Sequence, residues 1–245
     1  VSSAINNAFY DTLGERWYTA QDDPVALLRA EAAHRNPWIL KVLEHEFPGR
    51  KCKILDVACG AGFLSNPLAK AGHEVVGIDA SPESLEVARR HDDTGSVLYQ
   101  NADALALPFQ DGHFDAVALM DFLEHVEDPE AVLAEASRVL SPGGLLFFHT
   151  FNRNFLSRLV VIHGVEWFVA NTPPRMHVYH LFIKPEELRN ACRRRSLAVQ
   201  EIHGSRPRLT VAFWKMLFTR RVPEDFSFTF TRSTAVAYTG FAKKV

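Results

Sequence analysis

Two glycines, a carboxylate at the end of an apolar run, and a second carboxylate 23 residues later are the first residues here whose spacing could do chemistry. Ile54-Leu-Asp-Val-Ala-Cys-Gly-Ala-Gly62 carries an apolar strand into a turn of small residues and then a helix. Gly60 and Gly62 let the backbone turn sharply and approach a ligand closely, and the helix beyond supplies free N–H groups. The pattern G-x-G-x-x-G needs a third glycine where Ser65 stands, so the dinucleotide fingerprint fails. Asp56 also repels a phosphate and suits a cationic ligand or an ammonium group. Val75-Val-Gly-Ile-Asp79 ends the next apolar run with an acid placed to accept from both hydroxyls of a ribose. Ser81 can cap the following helix, so Asp79 is not needed there. Asn101-Ala-Asp103-Ala104 offers a third acid, which can accept from an adenine amine or close an Asx-turn.

The elements that must position these acids alternate in type. Apolar runs at Lys53–Val57, Glu74–Ile78, Val97–Gln100, Phe114–Leu119 and Leu145–Thr150 read as strands. Helical stretches at Phe63–Ala71, Pro82–Arg90 and from Asp128-Pro129 to Leu140 separate them, and Ser141-Pro-Gly-Gly144 reads as a hard stop. This predicts right-handed βαβ units and an α/β fold: a Rossmann-like, doubly wound, mostly parallel sheet. Residues 1–50 read as an arm and a helix starting at Pro24. After residue 150 the pattern changes to an apolar stretch at 155–170 of helical period interrupted by Gly164, a basic helix at Pro185–Arg195, a strand at Leu197–Ile202, and β-formers over Phe226–Ala242. The expectation is one domain over 1–245. It comprises the arm and helix, a cofactor-binding core over 51–150, a helical cap over 151–195, and an antiparallel edge over 196–245.

Composition narrows the function. A chain of 245 residues with 47% hydrophobic residues can bury a sizeable core. A net charge of -2 argues against a dedicated nucleic-acid binder. No run approaches about 20 apolar residues, and the first residues lack the basic and apolar regions of a signal peptide. Cys52, Cys59 and Cys192 lack metal-site spacing and do not indicate an oxidising compartment. The expected location is cytoplasmic.

Taken together, Asp56–Gly62, Asp79 and Asn101-Ala-Asp103 resemble the class I S-adenosylmethionine-dependent methyltransferases, as do Phe114–Asp121 and Ser141-Pro-Gly-Gly144. A narrower resemblance covers nearly the whole chain. Phe122-Leu-Glu-His125, Val126-Glu-Asp-Pro129, Asn152-Arg-Asn154 and Phe182-Ile-Lys-Pro185 are similar to the ubiquinone-biosynthesis O-methyltransferases. The resemblance implies S-adenosylmethionine as cofactor and a catechol-type hydroxyl on a hydrophobic ring as acceptor. It implies a cofactor-binding set of Arg29, Asp56, Ala58, Gly60, Gly62, Asp79, Ala80, Asp103, Ala104 and Met120. Arg16-Trp17 and Leu28-Arg29 fall where that family has a tryptophan pair and an arginine for the methionyl carboxylate. About four extra residues follow Arg29, so Arg35 competes for that role. Tyr18 replaces the family's second Trp, and Arg175-Met-His177-Val178 keeps a histidine while losing an acid. An exocyclic-amine methyltransferase of nucleic acids would carry Asn/Asp-Pro-Pro-aromatic where Met120-Asp121-Phe122-Leu123 stands. A cofactor-binding partner subunit without activity is the rival from another class.

A phenol is mostly protonated at neutral pH, so a base or a metal should lower its pKa. Asp121, Glu124 and His125 share one face if their segment is helical, and they suit a divalent cation such as Mg2+. His125 and Asp121 are also candidate catalytic groups, with His149 and His177 as rival bases. Residues 155–170 are either a core-facing helix or a lid that touches a membrane surface. Phe213, Trp214, Phe218, Phe226, Phe228 and Phe230 either wall an apolar pocket or are ordinary strand residues.

Overall fold

Alternate residues of each central strand face opposite sides of one sheet, and each side is covered by its own helices. The computed structural model describes residues 5–245; the first four residues of the expected arm lie outside the described residues. The strands are β1 (Lys53–Val57), β2 (Glu74–Asp79), β3 (Leu98–Asn101), β4 (Phe114–Met120), β5 (Leu140–Phe151), β6 (Leu197–Pro207), β7 (Phe228–Thr231) and β8 (Ala237–Lys244). Their order is β3-β2-β1-β4-β5-β8-β6-β7. The first five are parallel, and β8, β6 and β7 complete the sheet antiparallel.

The helices are α1 (Arg16–Thr19), α2 (Val25–Glu46), α3 (Ser65–Lys70), α4 (Pro82–Arg90), α5 (Pro129–Val139), α6 (Phe155–Ser157), α7 (Val165–Phe168), α8 (Pro185–Arg194) and α9 (Val211–Thr219). Ile54, Ala116, Ala118, Leu145 and Phe147 pack under Ile39 and Leu43 of α2 and Leu68 of α3. Leu55, Val117, Leu119, Leu146 and Phe148 pack under Leu133 of α5 and Leu188 of α8. The period of two in the sequence thus sorts each strand between two cores.

Three expectations change. Ser141-Pro-Gly-Gly144 does end α5, but the chain there already runs as the start of β5, with a register shift opposite Phe114–Ala116. A Cβ at Gly144 would lie 2.9 Å from the Ser141 carbonyl, so only glycine follows this path. The interruption expected at Gly164 is absent: α6, a π-helical stretch (Arg158–Gly164) and α7 run on without a break, Gly164 keeps helical dihedrals, and the run ends at Val169, which is extended. Phe213, Trp214 and Phe218 lie on a helix, α9, not on a strand or a pocket wall. No helix among the described residues is long and apolar enough to cross a membrane.

Candidate active site

The strand order reverses between β1 and β4, and a cavity of about 690 Å³ opens at their carboxyl ends. Asp56, Ala58, Gly60, Asp79, Ala80, Asp103, Ala104 and Met120 stand on its wall. Gly62 shapes the turn behind the wall with φ +80°, and a Cβ there would collide with the Tyr99 hydroxyl, which donates to Asn66 Oδ1 at 2.6 Å. Gly60 has φ +52° and a Cβ there would meet the Trp17 ring at 3.0 Å. The turn therefore needs both glycines, one for close packing beneath and one for a ring laid across it.

The acids differ in environment. Asp79 accepts from Gly60 N and Ser81 N, both at 2.8 Å, and its oxygens retain lone pairs toward the cavity. Ser81 caps α4 by accepting from Ser84 N. Asp103 closes an Asx-turn onto Leu105 N at 2.8 Å while lying on the cavity wall, so both readings of that residue hold together. Asp56 is buried and accepts from Ser65 Oγ at 2.6 Å. Ser65, standing where a dinucleotide site would want glycine, thus serves the carboxyl. Burial pushes the Asp56 carboxyl up to about 7, against the Ser65 hydrogen bond. A buried carboxyl of this kind is the complement of a cationic ligand. Together with Asp79 and Asp103 it fits S-adenosylmethionine, whose amino end, ribose and adenine would meet the three acids in turn.

The arginine assignment is corrected. Arg29 donates to the Trp17 and Ala20 carbonyls at 2.7 and 2.6 Å and does not line the cavity. Arg35 does, because the first half of α2 carries it back to the strand ends. It is buried and grips Asp121 through two bonds of 2.9 and 2.5 Å. Its cationic end therefore holds Asp121 below the ordinary carboxylate range despite burial.

The metal assignment is also corrected. Asp121 has φ +55° and the following residues form a 3-10 turn (Leu123–His125), so Asp121, Glu124 and His125 do not share a helical face. Glu124 turns inward, where Thr150 Oγ1 donates to it at 2.8 Å, and burial pushes its carboxyl up to about 8. Burial favours its neutral form, it faces Thr150 rather than the cavity, and Asp121 is already paired with Arg35. These three residues do not fit a divalent cation. Glu31, Asp121 and His149 do bring one ligand atom each within 4.8 Å of one another, but Arg35 is the cation at that cluster.

Of the four candidate catalytic groups, Asp121 and His125 line the cavity. His149 is fully buried behind Asp121, with Nε2 3.4 Å from Asp121 Oδ1 and 3.6 Å from Glu31 Oε1. Glu31 is in turn held by Ser205 Oγ at 2.5 Å. His177 stands behind His125, ring to ring at 5.5 Å, and burial pushes it down to about 3.

His125 is held by a residue that the sequence reading missed. Asn7 Nδ2 donates to the His125 carbonyl at 3.4 Å, which turns Asn7 Oδ1 onto His125 Nδ1 at 3.1 Å. The Nδ1 proton is thereby fixed, and Nε2 is left as the accepting nitrogen. Burial pushes His125 down to about 4, so the ring is neutral at physiological pH. Asn7, Tyr10 and Trp17 bring the N-terminal segment across the cavity, with Tyr10 stacked on Trp17 at 5.5 Å. Nothing in the spacing of Asn7 or Tyr10 marks them, because they act through a fold-back over the strand ends.

Comparison with known proteins agrees with this geometry. Residues 55–148 match the family of methyltransferase domains. A ubiquinone biosynthesis O-methyltransferase from Thiobacillus denitrificans is 37% identical over 205 residues, covering 82% of this chain and 86% of that relative. The Aromatoleum aromaticum protein of the same name is 41% identical over 155 residues, 62% of this chain and 66% of its own. A solved S-adenosylmethionine-dependent methyltransferase from Thermotoga maritima, described as a possible histamine N-methyltransferase, superposes with a TM-score of 0.64 at 19% identity. It covers 97% of this chain and 99% of its own. Magnesium protoporphyrin IX methyltransferase from Synechocystis PCC 6803 gives 0.60 at 18% identity, over 86% of this chain and 83% of its own.

Proposed function

The chain belongs to the ubiquinone biosynthesis O-methyltransferase family, and from that premise we propose that it methylates a ring hydroxyl of a hydrophobic, ubiquinone-precursor-like acceptor. It is an S-adenosylmethionine-dependent methyltransferase. When bound, the cofactor supplies an electrophilic methyl on a sulfonium, and the protein's share is to position the acceptor and exclude water.

The observation that carries the acceptor reading is the Asn7-locked His125. Its Nε2 takes the proton of the acceptor hydroxyl, and Asp121, held by Arg35 on the same wall, stabilises the imidazolium that forms. Phe122, Val126 and Leu28 supply apolar wall beside these groups and suit a ring more than a charged acceptor. His149 and Glu31 lie behind the wall, close to Asp121 but without a hydrogen bond from the imidazole, so Arg35 is the group that positions Asp121. The outward face of 155–170 exposes Phe155, Leu156, Leu159, Val160 and Trp167. This supports a peripheral contact of that segment with the inner surface of a membrane, where a polyprenylated acceptor resides.

The test is methyl transfer from labelled cofactor to a panel of catechols with and without an isoprenoid tail. Transfer to a ring hydroxyl, with a lower KM for the prenylated member, is expected. Tight cofactor binding with transfer to no hydroxyl acceptor would instead mark a silent module.

A further inference from the structure

Helix α9 reads V-A-F-W-K-M-L-F-T and is apolar nearly all round, although one side of it faces solvent. Its inner side is satisfied: Ala212 and Met216 pack with Val169, Val222 and Phe226. Its outer side presents Val211, Trp214 and Phe218, exposed by 82, 53 and 86%, with Leu209 at 63% just ahead of it. The spacing i, i+3, i+7 puts the three on one stripe. A water-facing helix of a soluble domain would carry mostly polar residues there, and α9 carries two, Lys215 and Thr219.

Along the chain the charges next to the stripe have one sign, and acids (Asp22, Glu166, Glu224) approach only its Arg220–Arg221 end. Arg206, Arg208, Lys215, Arg220 and Arg221 fall within sixteen residues that contain no acid, in a chain whose net charge is -2. All five are exposed. Arg206 and Arg220 donate to the backbone carbonyls of Pro207 and Glu166 rather than to a carboxylate, while Arg221 lies near Asp22. The element is also firmly seated. Ala170 N donates to the Arg220 carbonyl at 3.1 Å, joining the end of α9 to α7.

The geometry points to α9 as a surface-inserting element for an anionic lipid bilayer. Trp214 and Phe218 enter the headgroup boundary, and the five cations meet lipid phosphates around them. A second copy of the chain fits less well, because pairing two such faces would oppose Arg206, Arg208 and Lys215 with their own copies. The inference extends the contact proposed above for 155–170 to a second element. It needs no assignment of the acceptor.

The experiment is co-sedimentation of the full chain with vesicles of phosphatidylcholine alone and with phosphatidylglycerol added. Binding to the anionic vesicles only, weakened as salt is raised, is expected. Trp214→Ser with Phe218→Ser should weaken it at least tenfold, on the order of one buried aromatic side chain or more. Arg208→Glu with Lys215→Glu should do the same while leaving the stripe intact. Leu159→Ser with Trp167→Ser tests the 155–170 contact separately, and failure of methyl transfer to any acceptor would leave vesicle binding untouched. Melting temperatures confirm that each variant is folded. No binding by the parent, or binding by both α9 variants equal to the parent, overturns the inference. Self-association of the parent that the α9 variants abolish, without vesicle binding, would instead make this face an interface between copies.

Discussion

Lowering the pH should weaken cofactor binding through one residue, Asp56. In the ligand-free protein its carboxyl is pushed from about 3.8 up to about 7 by burial, with Asp79 nearby adding to the rise. The folded protein therefore holds a proton that the unfolded chain has released between those two values. Across that window the folded state binds more protons, so stability falls as pH rises and the cost is complete above about pH 7. A shift of this size corresponds to roughly 4 kcal/mol, about 1.4 per unit. A cationic ligand beside the carboxyl removes much of that cost by stabilising the charged form. Binding to the protonated form forgoes it. Below about pH 7 the affinity for S-adenosylmethionine should then fall by up to about tenfold per unit. Titration calorimetry from pH 5 to 8 measures this directly. Asp56→Asn should flatten the profile, weaken binding at pH 8, and raise the melting temperature of the ligand-free protein at that pH by several degrees. A flat affinity profile in the parent, or a stability that rises between pH 5 and 7 through this residue, would refute the reasoning.

Asn7→Ala frees the His125 tautomer and should lower kcat by about tenfold or more while the cofactor Kd stays unchanged, as paired kinetics and calorimetry would read. Arg35→Ala leaves Asp121 buried and unpaired, so chemical denaturation should show a loss of about 3–5 kcal/mol, and cofactor binding should weaken as well. Gly62→Val places a branched side chain against the Tyr99 hydroxyl at positive φ, and near-ultraviolet circular dichroism with calorimetry should find a protein that misfolds or binds no cofactor. Excess EDTA should leave turnover within twofold of the untreated enzyme, since Arg35 already neutralises Asp121 and Glu124 is turned inward.

The cofactor half of the site was legible because it is local. Asp56, Gly60, Asp79 and Asp103 each sit within a few residues of a strand end, and parallel strands bring such ends to one edge without help from distant chain. The same locality made the order of elements up to residue 150 readable. The Pro-Gly-Gly segment was misjudged because a β-bulge and a loop use the same residues, and only the partner at Phe114–Ala116 distinguishes them. Helix α9 was missed for a related reason. Its aromatic run has the composition of a strand, and its periodicity shows only when Ala212 and Met216 are known to face inward.

The acceptor half was not legible because long-range contacts assemble it. Arg35 reaches Asp121 across 86 residues of chain, and Asn7 reaches His125 across 118. Register along α2 decides the first contact. Arg29 and Arg35 are six residues apart, so they point to different sides of a helix with 3.6 residues per turn. Counting from a family pattern selects Arg29, whereas the helix turns that residue toward the Trp17 carbonyl and turns Arg35 toward the strand ends. The candidate metal triad failed by the same kind of step, since the spacing of Asp121, Glu124 and His125 implies a shared face only if the backbone is helical. The positive φ at Asp121 breaks that condition at its first residue. It sends Glu124 inward to Thr150, leaves His125 on the cavity wall, and presents the Asp121 carboxylate to Arg35. One backbone angle thus separates a metal-ligand pattern from a neutral base beside a neutralised acid, and side-chain spacing alone does not encode that angle.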